Sequence, residues 1–306
     1  MRPTKLLSDR APYSAIIDRP HWQAPNGARM LVWIIVNVEH WSIERAMPRT
    51  VLSPPMGQPL LPDLPNWAWH EYGMRVGFWR FFEALGQRGI RPTLAINGIV
   101  CKSYPRIARA AHEAGWEFMG HGYLQGPMHK VDDQAQAIAQ TIDAIGSITG
   151  SAPLGWESPG LTETDDTLDA LSEAGIRYVA DWVLDDQPVW LDAKPRPVLS
   201  VPYTVEINDI PMMVLQAHSA EEFYRRGQAQ LDRLWLDSAK QTRVMSVSIH
   251  PYIMGVPHRI AQLERLLDAV IAKPEVHICT GAEIATCFEA QIASPLAVVT
   301  LPQSLR

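Results

Sequence analysis

The stretch Met30-Leu31-Val32-Trp33-Ile34-Ile35-Val36-Asn37-Val38-Glu39-His40-Trp41 decides the fold. It opens as an apolar, strand-like run over 30–37 and ends in two ionisable side chains. Similar runs follow at 92–97, 116–119, 154–157, 177–181, 212–216, 244–250 and 276–280. Helical patterns separate most of them. Val76, Trp79, Phe82 and Leu85 share one face, as do Ile138, Ile142 and Ile145. Ile260, Leu263, Leu267 and Val270 form another stripe. Gly89, Gly115 and Gly175 supply stop signals, and Ser219 with Glu222 makes a capping-box pattern before Phe223. Strands alternating with helices of about 10–20 residues predict an α/β fold with a parallel sheet of right-handed βαβ units. An open doubly wound sheet and a closed barrel both fit. The chain has 306 residues, with no internal repeat and no low-complexity linker. One domain of about eight βα units is the better reading, since barrels commonly run to ~250 residues.

Composition narrows the function classes. Apolar residues make up 47% and charged residues 20%, which is enough for a core and too apolar for a disordered chain. The 27 Lys and Arg against 33 Asp and Glu give a formal charge of −6 with no basic block. Neither nucleic acid nor anionic lipid is therefore an expected partner. The longest apolar run, about 30–36, is far short of the ~20 residues that span a bilayer. Met1-Arg2-Pro3-Thr4-Lys5 lacks the apolar stretch of a signal peptide, so the expected location is cytoplasmic. Cys101, Cys279 and Cys287 show no paired spacing, which argues against a disulfide framework or a zinc ribbon. The Pro-rich stretch 48–65, followed by Trp67 and Trp69, reads as a long loop or lid after the first strand.

Barrel enzymes keep their reacting groups at the C-terminal ends of their strands. The first strand ends at Glu39, His40 and Trp41, the second at Asn97, and the third at His121 and Tyr123. The fourth delivers Glu157, the fifth Asp181 and Trp182, and the seventh His250. Each alone has a bland reading, as a satisfied structural histidine, a solvated carboxylate or a turn cap. Their coincidence at one rim is what points to chemistry. Glu39, His40, His121 and His250 suit hydrolysis, in which a carboxylate takes a proton from water and an imidazole returns one to a leaving nitrogen. The other seven histidines, His70 among them, fall on helices or loops and read as structural. No glycine-rich phosphate loop and no Gly-x-Ser-x-Gly elbow is present.

Several longer segments carry a resemblance. Glu71-Tyr72-Gly73-Met74-Arg75-Val76-Gly77-Phe78-Trp79-Arg80 resembles the polysaccharide deacetylase superfamily (carbohydrate esterase family 4). It is similar above all to the branch of metal-independent allantoinases and cyclic imide hydrolases. The same branch is echoed by His121-Gly122-Tyr123, by 185–190, by 202–209 and by 250–260. The resemblance implies a deformed (β/α) barrel with seven or eight parallel strands and a single domain over 1–306. Residues 1–28 would be an N-terminal extension and 289–306 a C-terminal tail.

The departures matter as much. Where family deacetylases carry Asp-Asp, base then metal ligand, this chain has Glu39 and His40. Their His-x-x-x-His motif is reduced to His121 and Gln125, and the Arg that holds the base is matched by Glu157. The family's general-acid histidine is matched by His250. A metal such as zinc would have to use His40 and His121 with Glu39 or Glu157; the other expectation is no cofactor.

Two classes of function follow. The first is a hydrolase cleaving a C–N bond in a small cyclic amide, imide or ureide, with metal-dependent N-deacetylation of an amino sugar as runner-up. Glu39 would activate water, His121 polarise the carbonyl and His250 protonate the leaving nitrogen. Trp41, Tyr123, Glu157, Asp181, Trp182 and Asp185 would contact substrate. The second class is a catalytically inactive barrel that binds a small molecule. The allantoinase-like branch also suggests a homo-oligomer.

Overall fold

The computed structural model describes residues 7–58 and 61–296. Strand β1, Met30–Val38, is buried along its whole length because both its faces are covered. Met30, Val32, Ile34, Val36 and Val38 pack beneath helices, whereas Leu31, Trp33 and Ile35 face the barrel interior. That period of two, apolar on both sides, is the mark of a central parallel strand.

Around β1 the described residues form one curled sheet. β2 (Thr93–Ile96), β3 (Glu117–Gly120), β4 (Gly155–Trp156) and β5 (Tyr178–Val179) follow on one side. They continue through β7 (Val198–Ser200) to β6 (Val189–Leu191). β8 (Arg243–Ile249) lies on the other side, and β9 (Val276–Cys279) pairs the first half of β1. All ladders are parallel except β6 with β7. Between β6 and β8 runs a seam crossed by isolated contacts. Val244 N–H donates to Asp186 O at 2.8 Å and Ser248 N–H to Ile207 O at 3.0 Å. This is a deformed (β/α) barrel. No described helix is long and apolar enough to cross a membrane.

Two sequence expectations are corrected. Residues 212–216 are not a strand but part of a wide helical turn, Ile210–Leu215. Pro211 lacks the N–H that an internal strand donates and suits a first helical turn instead. The sheet is completed by the hairpin β6–β7, whose three-residue strands are too short to show a period.

The helix stripe also shifts. Helix α1 (Leu64–Tyr72) runs through a widened turn, Gly73–Gly77, into α2 (Phe78–Gln87). Phe78, Phe81 and Leu85 are fully buried, while Trp79 and Phe82 are only partly so and Val76 is exposed. The widened turn explains the run 71–80. A Cβ on Gly77 would stand 2.0 Å from Pro251 O, and one on Gly73 2.6 Å from Tyr252 N. Glycine thus lets α1 and α2 press against the loop after β8. Arg80 Nη1 reinforces the contact by donating to Gly255 O at 2.8 Å.

The segment before β1 is packed, not trailing. Buried Arg10 pairs with Asp169 and donates to Asp192 O. Trp22 meets Phe288 edge-on at 5.3 Å. Of the expected tail, Ile292 O accepts from Trp190 Nε1 at 3.2 Å, and 297–306 lie outside the described residues.

Candidate active site

Glu39 follows the last residue of β1, so strand direction alone delivers it to the C-terminal rim. Its Oε1 accepts from Gln125 Nε2 at 2.8 Å and its Oε2 from Trp41 Nε1 at 3.0 Å. The Nε2 atoms of His121 and His250 both face Oε1, at 3.6 and 3.7 Å. Those distances are too long for hydrogen bonds. Arg49 Nη1 stands 3.8 Å from Oε2. Burial opposes charge on Glu39, but His121, His250 and Arg49 outweigh it and hold the carboxyl well below the usual range.

Each imidazole is oriented by a second group. His250 Nδ1–H donates to Asp209 Oδ1 at 2.6 Å, and the backbone N–H of His250 donates to Asp209 Oδ2 at 2.7 Å. Both oxygens of a fully buried carboxylate are thus committed to one residue, leaving Nε2 for the centre. His121 Nδ1–H donates to Glu157 O at 2.8 Å, and its Nε2 has no hydrogen-bond partner among the described residues. Burial would lower the His121 pKa, but the carboxylates of Glu157 and Glu39 raise it.

Glu157 is the second carboxyl of the centre. It lies across His121 from Glu39, with Oε1 4.0 Å from His121 Nδ1. The Asn37 amide donates to its two oxygens at 3.3 and 3.2 Å while accepting from Ser248 Oγ at 2.9 Å. Tyr203 OH meets Ser248 Oγ at 2.7 Å. Burial, helped by the charge of Asp181, pushes the Glu157 pKa up to about 7 against the pull of His121 and His250.

Asp181 Oδ1 accepts from Ser158 N at 2.6 Å, and Trp182 Nε1 donates to Glu163 Oε1 at 2.9 Å. Burial raises the pKa values of both Asp181 and Glu163, and the charge of Asp181 raises that of Glu163 further. Asp181 Oδ2 and Glu163 Oε2 have no hydrogen-bond partner among the described residues.

Three expected positions are corrected. Asp185 pairs with Arg19 at 2.6 Å in a separate cavity of about 680 Å³ beneath 11–19. Tyr123 packs its ring against Gly98, at the head of helix α3 (Gly98–Ser103). His40 turns toward Tyr104, with ring centres 6.0 Å apart, and not toward Glu39. Residues missed by sequence reasoning are Asp209, Tyr203, Glu163, Arg49 and His70. His70 lies in an aromatic box of Trp41, Trp69 and Tyr252, with ring centres 5.4, 5.2 and 4.3 Å away. The one signal for Asp209 was its place at the end of the familiar run 202–209.

The resemblance raises a divalent metal, and the donor set does not fit one. His40 points away, and Gln125 offers a neutral amide already bonded to Glu39 and to Asn97 Nδ2. Among the described residues no three His, Cys, Asp or Glu side chains group as a metal site.

Known proteins agree with this architecture. Residues 69–179 match the polysaccharide deacetylase family. A Schizosaccharomyces pombe relative carrying the polysaccharide deacetylase name is 26% identical over 240 residues, 72% of this chain and 75% of its own. A peptidoglycan deacetylase of Helicobacter pylori is 23% identical over 245 residues, 70% of this chain and 84% of its own. The crystal structure of Puue allantoinase has a TM-score of 0.80 at 24% identity, over 90% of this chain and 95% of that one, a likeness of fold. By fold the chain is similar to that allantoinase barrel, and over 69–179 its sequence is similar to the polysaccharide deacetylases.

Proposed function

We propose that the chain hydrolyses a C–N bond in a small cyclic amide, imide or ureide. The observation that carries this reading is the convergence of two oriented imidazoles on one oxygen of an ionised, buried Glu39. Glu39 aligns and polarises the attacking water, whose oxygen bonds to the carbonyl carbon. His121, whose pKa its carboxylate neighbours raise, stabilises the developing oxyanion. His250, fixed by Asp209, hands a proton to the leaving nitrogen as the C–N bond breaks. The water's proton passes to Glu39 as the C–O bond forms and leaves to solvent with the product, while Glu157, with its pKa pushed up to about 7, tunes the charge beside His121. Asp181, Trp182 and Trp41 complete the substrate wall.

N-deacetylation of an amino sugar is the second reading, favoured by the deacetylase relative matched over 84% of its length. The same three groups serve an acetamide equally well. A cytoplasmic location, homo-oligomeric assembly and a single domain belong to the proposal too, for fractionation, light scattering and limited proteolysis to test.

The deciding experiment is turnover of allantoin, hydantoins, succinimide-type imides and N-acetylated amino sugars, with and without chelator, by wild type and His250→Ala. Hydrolysis of a cyclic substrate, lost by about two to four orders of magnitude in the variant, is expected. Turnover of acetylated sugars alone would favour the second reading. A ligand-induced melting shift without turnover would instead mark a binding barrel.

A further inference from the structure

Arg49 is a cation that the acid–base steps above leave unused. It comes from the Pro-rich segment after β1, and a clip holds that segment in place. Asn66 Oδ1 accepts from the N–H groups of Val51 and Leu52 at 2.7 and 3.0 Å, and Asn66 Nδ2 donates to Leu52 O at 3.0 Å. Trp67 Nε1, on the same helix, donates to Trp41 O at 3.0 Å. The guanidinium is therefore carried by a built scaffold.

Its surroundings define an anion receptor. Nη1 lies 3.8 Å from Glu39 Oε2, and the guanidinium carbon lies 5.8 Å from the centre of the Trp41 ring. A guanidinium has five N–H donors. Among the described residues Arg49 spends one of them, in a long 3.4 Å bond from Nη1 to Tyr252 OH. Its side chain is 21% exposed, against 4% for Glu39 and 2% for His121. It is also the one Arg or Lys among the described residues within ion-pair reach of Glu39. Arg49 thus stands between solvent and the buried centre with donors to spare.

We propose that Arg49 is a binding residue that holds the acyl-side carboxylate left by the cleaved bond. This rests on the amide-hydrolysis reading above. Water adds its oxygen to the acyl carbon and the C–N bond breaks; one water proton goes to nitrogen, the other is released to solvent, and the acyl carbon is left as a carboxylate. A planar guanidinium takes that group through paired N–H···O bonds. Because the charge appears only as the bond breaks, the contact favours the product side of the reaction.

Glu39 competes for the same cation, which gives the test two opposite signs. The probes are acetate and neutral acetamide, with affinities measured by calorimetry or ligand-observed NMR. Arg49→Met should weaken acetate at least tenfold and Arg49→Lys by less, with acetamide unchanged. Glu39→Gln should tighten acetate severalfold, and the double variant should lose that gain. Equal acetate affinity in Arg49→Met and wild type would overturn the proposal. So would absence of saturable acetate binding by wild type, or an equal loss of acetamide. Acetate has no C–N bond to cleave and acetamide affinity is read in the His250→Ala background, so failure of the hydrolase reading would appear separately in the substrate panel.

Discussion

At the scale of single residues, Glu157 is the departure with the largest physical consequence. A carboxyl stands where the resembling family keeps an Arg, and Arg49 brings a cation to Glu39 from another element. In the folded chain burial raises the Glu157 pKa from its ordinary 4.5 to about 7. Between those values the folded protein keeps a proton that the unfolded chain has lost. Stability therefore falls as pH rises through that window, and the penalty is complete above about 7. Glu157→Gln should flatten the slope, gaining roughly 3 kcal/mol on wild type between pH 4 and pH 8 in urea unfolding. Any inflection near pH 7 in the pH–rate profile should also disappear. Glu39, His121 and His250 were legible because each closes an apolar strand, and barrel topology gathers strand ends. Asp209, Arg49 and Glu163 sit on turns without periodicity, so nothing in their spacing announces that they converge. His70 sits on a helix, where spacing suggests a structural role, and its packing adds the aromatic box around it beside Glu39.

Among the elements, the junction of α1 and α2 shows what a familiar motif is for. Gly73 and Gly77 touch no reacting atom, yet they set how closely the helices approach the loop carrying His250 and Tyr252. Gly77→Ala would put a methyl against Pro251 O, which is backbone and yields only by moving. The expected outcome is a loss of roughly 1–3 kcal/mol with turnover reduced further than stability. Thermal melting and kinetics on the same preparation check it. Long elements such as α5 (Gln134–Thr149) and α8 (Ile260–Ala272) were readable because Ile138, Ile145, Leu263 and Leu267 repeat at helical spacing and are buried. The hairpin β6–β7 was not, since three residues carry no period. The 210–215 turn was mistaken for a strand because its apolar content outweighed the message of Pro211.

For the whole molecule, the barrel is polar at both ends, with Leu31, Trp33, Ile35, Ala95 and Met119 packed between. At the end opposite the centre, Glu117 accepts from Tyr178 OH at 2.7 Å, from Thr93 Oγ1 at 2.5 Å and from Ala282 N at 3.0 Å. The last of these donors opens helix α9 (Gly281–Glu289). Glu117→Ala strands the Tyr178 hydroxyl and the Ala282 amide, so roughly 3 kcal/mol of stability should be lost. The folded fraction should keep its turnover, because four residues of β3 separate Glu117 from His121, about 13 Å. Calorimetry with active-site titration would separate the two effects. The seam between β6 and β8 bears on this division. A cask keeps its shape only when every stave is fastened along both edges, and the stave that ends in His250 is fastened unevenly. Seven paired residues tie it to β1 along one edge, and isolated bonds tie it along the other. Its 3.7 Å separation from Glu39 is thus set across the long edge, so the proton donor is positioned by the same strand that delivers the carboxylate.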